Sequence, residues 1–359
     1  PGIKNRLIFV LGVMAKAGSS TRKENFASSK RHVTSYDVAR HAGVSQSAVS
    51  RCFKPGASVS KKMRERVMTA VKELGYTPNA IARGLITRRS NMVAVIVSNL
   101  NFYPEVVSEL SARFTERGVH VLLFTLDHES DVSRTLEQVW QYQVDGVVAA
   151  AHLSPQEIAI FEERNVPLVF YNRSYEDVQV SSVSCDQIEG ERALINRLAK
   201  HGAHKSYAII TGPADSVVSM QRTRGAIERL KEFGVSDVTQ VTGDYGYKSG
   251  RRAVQEIIEL RGSPPDAIIC ANDMMAFGAM DELRYRLEYD VPGDVSVVGF
   301  DGVRAASWSS FDLATVVQPV ESMAEAAVSM LLDRVDDPDM PPEKRLFSGV
   351  LRDGSSIRG

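Results

Sequence analysis

At 359 residues the chain is too long for a single hydrophobic core, and with 43% hydrophobic and 24% charged residues it can bury two or three. The net charge of −1 hides an asymmetry: Lys30 to Ser90 carries thirteen Lys/Arg against three Asp/Glu, leaving 30 against 41 elsewhere. A basic segment on an acidic remainder fits a polyanionic partner for that segment alone, or a solvated basic helix with no partner. Three cysteines, Cys52, Cys185 and Cys270, are odd in number and lie far apart beside apolar stretches, which excludes a disulfide framework and fits reduced, buried thiols in a cytosolic protein.

Lys4 and Arg6 precede an apolar run, Leu7 to Ala15, and then Ala15-Lys16-Ala17. The pattern is that of a secretory signal with a small-residue cleavage site, and the run is too short to span a bilayer. Residues 16–32 are rich in Ser, Lys and Arg, as in a loose tail. Residues 1–32 are therefore read as a disordered or misassigned leader, with a signal peptide as the alternative.

Residues 33–78 carry three helical patterns. Thr34 with Asp37 is a capping box, and Val38, Ala39 and Ala42 share one face of a first short helix. Gly43 suits a tight left-handed turn, and Ser45 caps a second helix. There Ala48, Val49 and Cys52 point inward and Gln46, Ser47, Ser50 and Arg51 outward. Ser60 caps a third helix with Met63, Val67, Ala70, Val71 and Leu74 on its apolar face, closed by Gly75. Two helices joined by a glycine turn, the second with a polar and cationic outer face, are a helix-turn-helix whose second helix enters the major groove of DNA. Gln46 and Arg51 match adenine and guanine edges. Ser50, Lys54, Lys61 and Lys62 match phosphates.

Residues 79–90 form a hinge and linker. Pro78 and Asn79 open a short helix containing Ala80, Ile81, Ala82, Arg83 and Leu85, too short to be stable alone in water. Gly84 weakens it by roughly 1 kcal/mol relative to Ala.

From residue 91 to 359 short apolar runs alternate with amphipathic helices. Eight runs, near residues 93–97, 119–125, 146–151, 166–170, 207–210, 238–241, 267–270 and 295–298, lack strict alternation and read as strands buried on both faces. They fall into two groups of four around a longer stretch, Ser174 to Ala203, which predicts two doubly wound parallel-sheet lobes rather than one eight-stranded sheet. A helix over Glu321 to Val335 and a final strand near Leu346 to Leu351 follow.

Ligands of open α/β sheets bind beyond the C-terminal ends of strands. The residues there include Phe102, Tyr103, Asn172, Asp186, Arg222, Tyr245, Asn272, Asp273 and Asp301. Carboxylates, amides, one arginine and aromatic rings suit a polyhydroxylated ligand. Asp273 reads as a helix cap rather than a contact, Arg224 serves equally as a surface residue, and Trp308 fits core or cleft. No phosphate-binding glycine loop, dinucleotide fingerprint or nucleophile elbow is present. His201 and His204 have no neighbouring Cys, Asp or Glu cluster, so neither metal nor cofactor is expected, and their place at a helix end favours a protonated ring.

The segment Thr34-Ser-Tyr-Asp-Val-Ala-Arg-His-Ala-Gly-Val-Ser-Gln-Ser-Ala-Val-Ser-Arg51, with Leu74-Gly-Tyr-Thr-Pro-Asn-Ala-Ile-Ala-Arg-Gly-Leu85, resembles the signature of the lac/gal repressor family, and the similarity runs from about Val33 to the last strand. The resemblance implies a helix-turn-helix head, a periplasmic-binding-protein-like body and no enzymatic activity. It implies a cytoplasmic homodimeric repressor on a pseudo-palindromic operator, controlled by a sugar, sugar acid or related metabolite. It places Ser45, Gln46, Ser47, Ser50, Arg51 and Lys54 on DNA. Asn79, Ala82 and Leu85 lie in hinge helices that pair in the minor groove, with Leu85 as the wedge. Arg222, Asn272 and Asp301 match effector contacts, Tyr245 an aromatic position and Asp186 a cleft carboxylate. Asn172 stands where several members carry Asp, and Phe102 and Tyr103 match an Asn-Pro-Phe-Phe sequence only in part; both departures leave the effector class open. The competing reading is a solute-binding receptor with the same body.

Overall fold

The computed structural model describes residues 33–53, 57–77, 89–98, 104–126, 131–173, 175, 178–200 and 204–359, which divide into two compact units, one ending at Asn79 and one beginning at Ala80.

The first unit is α1 (Ser35–Ala42), α2 (Gln46–Cys52) and α3 (Lys61–Leu74). Each helix starts at a hydroxyl that accepts a backbone N–H: Thr34 from Asp37, Ser45 from Ala48, Ser60 from Met63. The Asp37 carboxylate returns the bond to the Thr34 N–H at 3.0 Å, completing the box. Gly43 takes φ 61°, which makes the tight turn into α2. Val38, Ala39, Ala42, Val49, Cys52, Val67 and Ala70 form the core. Two arginines of α3 tie the helix ends together: Arg66 donates to the carbonyls of Ala42 (2.6 Å) and Gly43 (3.3 Å), and Arg64 to that of Cys52 (2.8 Å). Carbonyls that a helix C-terminus leaves open are thereby satisfied.

The second unit holds two six-stranded sheets, ordered β11-β5-β4-β3-β1-β2 and β12-β10-β9-β8-β6-β7. In the first lobe β1 (Met92–Val97), β2 (His120–Thr125), β3 (Gly146–Ala150), β4 (Leu168–Tyr171) and β5 (Ser181–Cys185) are joined by α4 (Pro104–Glu116), α5 (Val132–Gln141) and α6 (Pro155–Glu163). The second lobe takes α7 (Gln187–Ala199), β6 (Tyr207–Thr211), α8 (Val217–Glu232), β7 (Val238–Thr242), α9 (Tyr247–Arg261), β8 (Ala267–Cys270), α10 (Asp273–Tyr285), β9 (Ser296–Asp301) and β10 (Ala314–Val317). The chain then returns to the first lobe as α11 (Val320–Asp336) and β11 (Lys344–Phe347), and ends in the second with β12 (Val350–Arg352). Interior strands such as β3 and β8 are apolar and buried throughout, while edge strand β2 is partly exposed, the pattern expected of sheets covered on both faces.

Sequence reading missed β5 and β10, whose short runs contain Ser or Thr, and merged β11 with β12. These last two belong to different sheets. The chain leaves β11 at the end facing the second lobe and runs straight on, so β12 enters antiparallel to β10, whereas every other pairing is parallel. Three segments thus cross between lobes: β5 to α7, β10 to α11, and β11 to β12. They pack closely at Gly349, where a Cβ would lie 2.4 Å from Val316 and 3.3 Å from the Cys185 sulfur.

All three cysteines are free and buried. His204 corrects the expectation of a protonated ring: it is buried between the Leu198 carbonyl (2.9 Å) and the Ser296 hydroxyl (2.8 Å), and burial lowers its pKa, which favours the neutral form. His201 and residues 1–32 lie outside the described residues.

Candidate functional site

On α2 the helical period separates the side chains cleanly. Ala48, Val49 and Cys52 are buried, while Ser45, Ser47, Ser50 and Arg51 are exposed and Gln46 is half-buried, donating to the Ser35 hydroxyl at 3.3 Å. Ser45 serves as the cap of α2 and also pairs with the Ser47 hydroxyl at 3.0 Å. Lys61 and Lys62 are exposed in the first turn of α3. Lys54, Asn79, Ala82 and Leu85 lie outside the described residues.

In the second unit a cleft opens between the lobes. The first lobe contributes Glu105 and Val106 at the start of α4, and Tyr171, Asn172 and Arg173 at the end of β4. The second contributes Val218 and Arg222 from α8, Tyr245 after β7, Asn272 after β8, and Asp301 to Val303 at the end of β9; Gln318 and Val320 come from the crossover after β10. Nearly all follow the C-terminal ends of strands, where such sheets bind ligands.

Arg222 is the centre of the polar set. It is 2% exposed, with its guanidinium 3.8 Å above the Phe300 ring. Its Nε donates to Gln187 Oε1 (2.7 Å), Nη1 to the Ala271 carbonyl (2.5 Å) and Nη2 to Asp301 Oδ1 (2.8 Å). Burial works against this cation, but the charge and hydrogen bond of Asp301 together with Tyr245 and Glu191 outweigh it and raise the guanidinium pKa. Asp301 also accepts from Gln318 Nε2 at 2.7 Å. Tyr245, at φ 66°, pairs its hydroxyl with Ser216 at 2.8 Å. Its ring passes Gly212 so closely that a Cβ there would lie 2.4 Å away.

The structure therefore brings Asn172, Arg222, Tyr245, Asn272 and Asp301 to one cleft. Asp186 is not among the lining residues: it caps α7, accepting the Glu189 N–H at 3.0 Å. Asn272, not Asp273, caps α10 by accepting the Met275 N–H, and its amide also donates to the Tyr245 carbonyl. Asp273 corrects the expectation of a cap: fully buried, it accepts from the Thr315 hydroxyl (2.6 Å) and the Val303 N–H (2.9 Å), and burial raises its pKa strongly. Trp308 is exposed, as is Arg224, which pairs with Glu228. Phe102 and Tyr103 lie outside the described residues. Sequence reasoning missed Glu105, Gln187 and Gln318; Gln318 follows β10, so recognising that strand would have exposed it to the same strand-end rule, whereas Gln187 stands one residue past Asp186, which that rule did reach.

Among the described residues no group of three His, Cys, Asp or Glu is placed to hold a metal, and no helix is long and apolar enough to cross a membrane. Residues 34–79 match the model for bacterial regulatory proteins of the lacI family, and residues 195–357 the periplasmic binding protein-like domain. The HTH-type transcriptional regulator CelR of Thermobifida fusca is 35% identical over 334 residues, spanning 90% of this chain and 97% of that protein. The ribose operon repressor of Escherichia coli K12 is 30% identical over 332 residues, spanning 90% and 99%. Among solved structures, a lac repressor dimer bound to operator and the anti-inducer ONPF aligns with a TM-score of 0.82 at 27% identity, covering 92% of this chain and all of that one. A CelR–cellobiose complex aligns at 0.68 with 32% identity, covering 90% and 100%. The chain belongs to the lacI family of bacterial regulatory proteins, and it is an effector-responsive, DNA-binding transcriptional repressor rather than an enzyme.

Proposed function

We propose that the protein represses transcription in the cytoplasm as a homodimer on a pseudo-palindromic operator, and that a neutral sugar in the interlobe cleft controls its grip. The observation that carries the DNA reading is the division of α2, with an apolar side committed to the head's core and Ser47, Ser50 and Arg51 left to solvent. In that position Arg51 reads guanine, Gln46 reads adenine, and Ser45, Ser47 and Ser50 fix register on phosphates. Two heads need two half-sites, which is why a dimer and a symmetric duplex go together. The lac repressor dimer on its operator supports this arrangement by similarity.

Charge balance supports a neutral effector. The charged residues lining the cleft cancel, Glu105 and Asp301 against Arg173 and Arg222, and the buried guanidinium already holds a carboxylate. An anionic ligand would have to displace Asp301 from Arg222, whereas sugar hydroxyls can bond to amides and carboxylates without changing the charge. The bound cellobiose of CelR is consistent with that preference.

Selection of duplexes from a random pool by the full-length protein tests the first part. The expected result is a symmetric consensus bound with a steep fall in affinity as salt rises; a pool that stays random would refute it. Thermal-shift screening of cellobiose, ribose and their sugar-acid counterparts tests the second, with stabilisation expected from a neutral sugar. Stabilisation by acids alone would refute it.

A further inference from the structure

Five side chains at the floor of the cleft close into a hydrogen-bonded ring. Asn172 Nδ2 donates to Gln318 Oε1 (3.0 Å), and Gln318 Nε2 to Asp301 Oδ1 (2.7 Å). Arg222 Nη2 donates to the same Asp301 oxygen (2.8 Å), and Arg222 Nε to Gln187 Oε1 (2.7 Å). Gln187 Nε2 returns to Asn172 Oδ1 (2.9 Å). Asn172, Gln187 and Arg222 are all buried.

The chemistry of the two charged members fixes the direction of every bond. Arginine only donates and a carboxylate only accepts, so two routes run from Arg222 to Asp301. One is direct. The other passes through the amides of Gln187, Asn172 and Gln318, each accepting on its oxygen and donating from its nitrogen. Reversing one amide would set donor against donor or acceptor against acceptor. Such a chain holds or breaks as a unit.

Its location gives the ring leverage. Asn172 follows β4 and belongs to the first lobe, and Arg222 and Asp301 belong to the second. Gln187 opens α7, two residues past β5, and Gln318 directly follows β10, so each stands at one of the three crossovers. A relative movement of the lobes must therefore stretch the bonds made by Asn172. Asp301 also faces the cleft, and its second oxygen, Oδ2, has no hydrogen-bond partner among the described residues.

We propose that Gln187, Asn172 and Gln318 are positioning residues that latch the two lobes in the arrangement described here, and that a ligand hydroxyl engaging Asp301 acts by displacing Gln318 and opening the ring. This rests on the effector reading given above and adds a route for it. An effector can shift a conformational equilibrium only through interactions that differ between its two states, and the Gln318–Asp301 bond is such an interaction. Breaking the ring by mutation should reproduce part of the effector's action without any ligand.

The test uses full-length protein with no sugar added, the duplex selected from the random pool, and four variants: Asn172→Asp, Asn172→Ala, Gln318→Ala, and the double Asn172→Ala/Gln318→Ala. Asn172→Asp is nearly isosteric and cannot donate to Gln318, so it opens the ring without emptying space. Each single variant should move operator affinity in the same direction by about 5-fold or more, and the double should move it no further than the larger single, as expected for residues in one network. These residues lie in a different folded unit from the DNA-reading helix, so a local packing loss would leave operator affinity unchanged. Unchanged affinity in folded variants, or effects of the two alanine changes that add, would overturn the latch. Should the wild type select no duplex at all, the DNA reading fails separately. Thermal unfolding of the same four proteins then decides the ring, with non-additive losses supporting it and additive losses overturning it.

Discussion

Glu191 offers a sharp test of the buried electrostatics beneath the cleft. It lies on α7, 1% exposed, and neither carboxyl oxygen has a hydrogen-bond partner among the described residues. Gly225 of α8 lets the two helices approach, since a Cβ there would lie 2.8 Å from the Ile188 carbonyl and 3.2 Å from Glu191 Cβ. Burial pushes the carboxyl from 4.5 up to about 8, with Arg222 pulling it down and Asp301 pushing it further up. The folded protein therefore keeps a proton that the unfolded chain loses above about 4.5. Across that window the folded state binds more protons, so Glu191's contribution to stability falls as pH rises and levels off above about 8. Each pH unit costs about 1.4 kcal/mol, giving an upper bound near 5 kcal/mol and a working range on the order of 2–5 kcal/mol. Glu191→Gln has the same shape and no proton to lose. Its unfolding temperature should track the wild type at pH 5 apart from a constant offset, and gain roughly 4–8 °C on it by pH 8.5. Scanning calorimetry of both proteins at matched ionic strength reads this directly. Parallel curves from pH 5 to 8.5 would mean that Glu191 reaches water or a partner, and the account of its burial would be wrong.

Two further substitutions probe the head and the second lobe. Arg51→Ala should weaken binding to the selected operator by roughly 1–3 kcal/mol and flatten preference at one base position per half-site; an unchanged consensus in mobility-shift competition would remove Arg51 from the reading set. Gly278→Ala should destabilise the second lobe by about 3 kcal/mol, because a Cβ on α10 would lie 2.0 Å from the Tyr247 carbonyl at the start of α9. The roughly 1 kcal/mol gain in helix propensity is too small to compensate. A variant that melts with the wild type would refute the close packing of these helices.

Much of the fold was legible because the signals were local. Thr34, Ser45 and Ser60 cap helices, and Gly43 and Gly75 take left-handed φ, as their sequence neighbourhoods dictate. Buried strands such as β1 and β8 announce themselves as apolar runs. The missed features depend on distant partners. The sequence Ser181-Ser-Val-Ser-Cys185 looks weakly strand-like, yet β5 is held between β4 and β11, whose paired residues come 162 positions later. Asp273 looks like a cap, and only the fold brings Thr315 and Val303 to its carboxylate. Arg64 and Arg66 are two of the thirteen basic residues counted between Lys30 and Ser90, but they donate to carbonyls at the ends of α2 and α1. Net charge counts them with the other cations of the head; geometry assigns them to holding the ends of α1 and α2 in place.

The same distinction resolves the oddity at residue 172, where an amide stands in a position that the family resemblance associates with a carboxylate. Taken as a ligand contact, that change would signal a different effector. In the ring it has a structural cause. Residue 172 must accept from Gln187 and donate to Gln318, and only the amide does both. An aspartate would accept from Gln187 but would face the Gln318 oxygen with a second acceptor. If Gln318 turned over to relieve that clash, its own oxygen would face Asp301, which would keep only its bond from Arg222. The amide at 172 thus follows from the glutamines at 187 and 318, and the three form one unit whose composition is set by the polarity of Arg222 and Asp301 rather than by the effector.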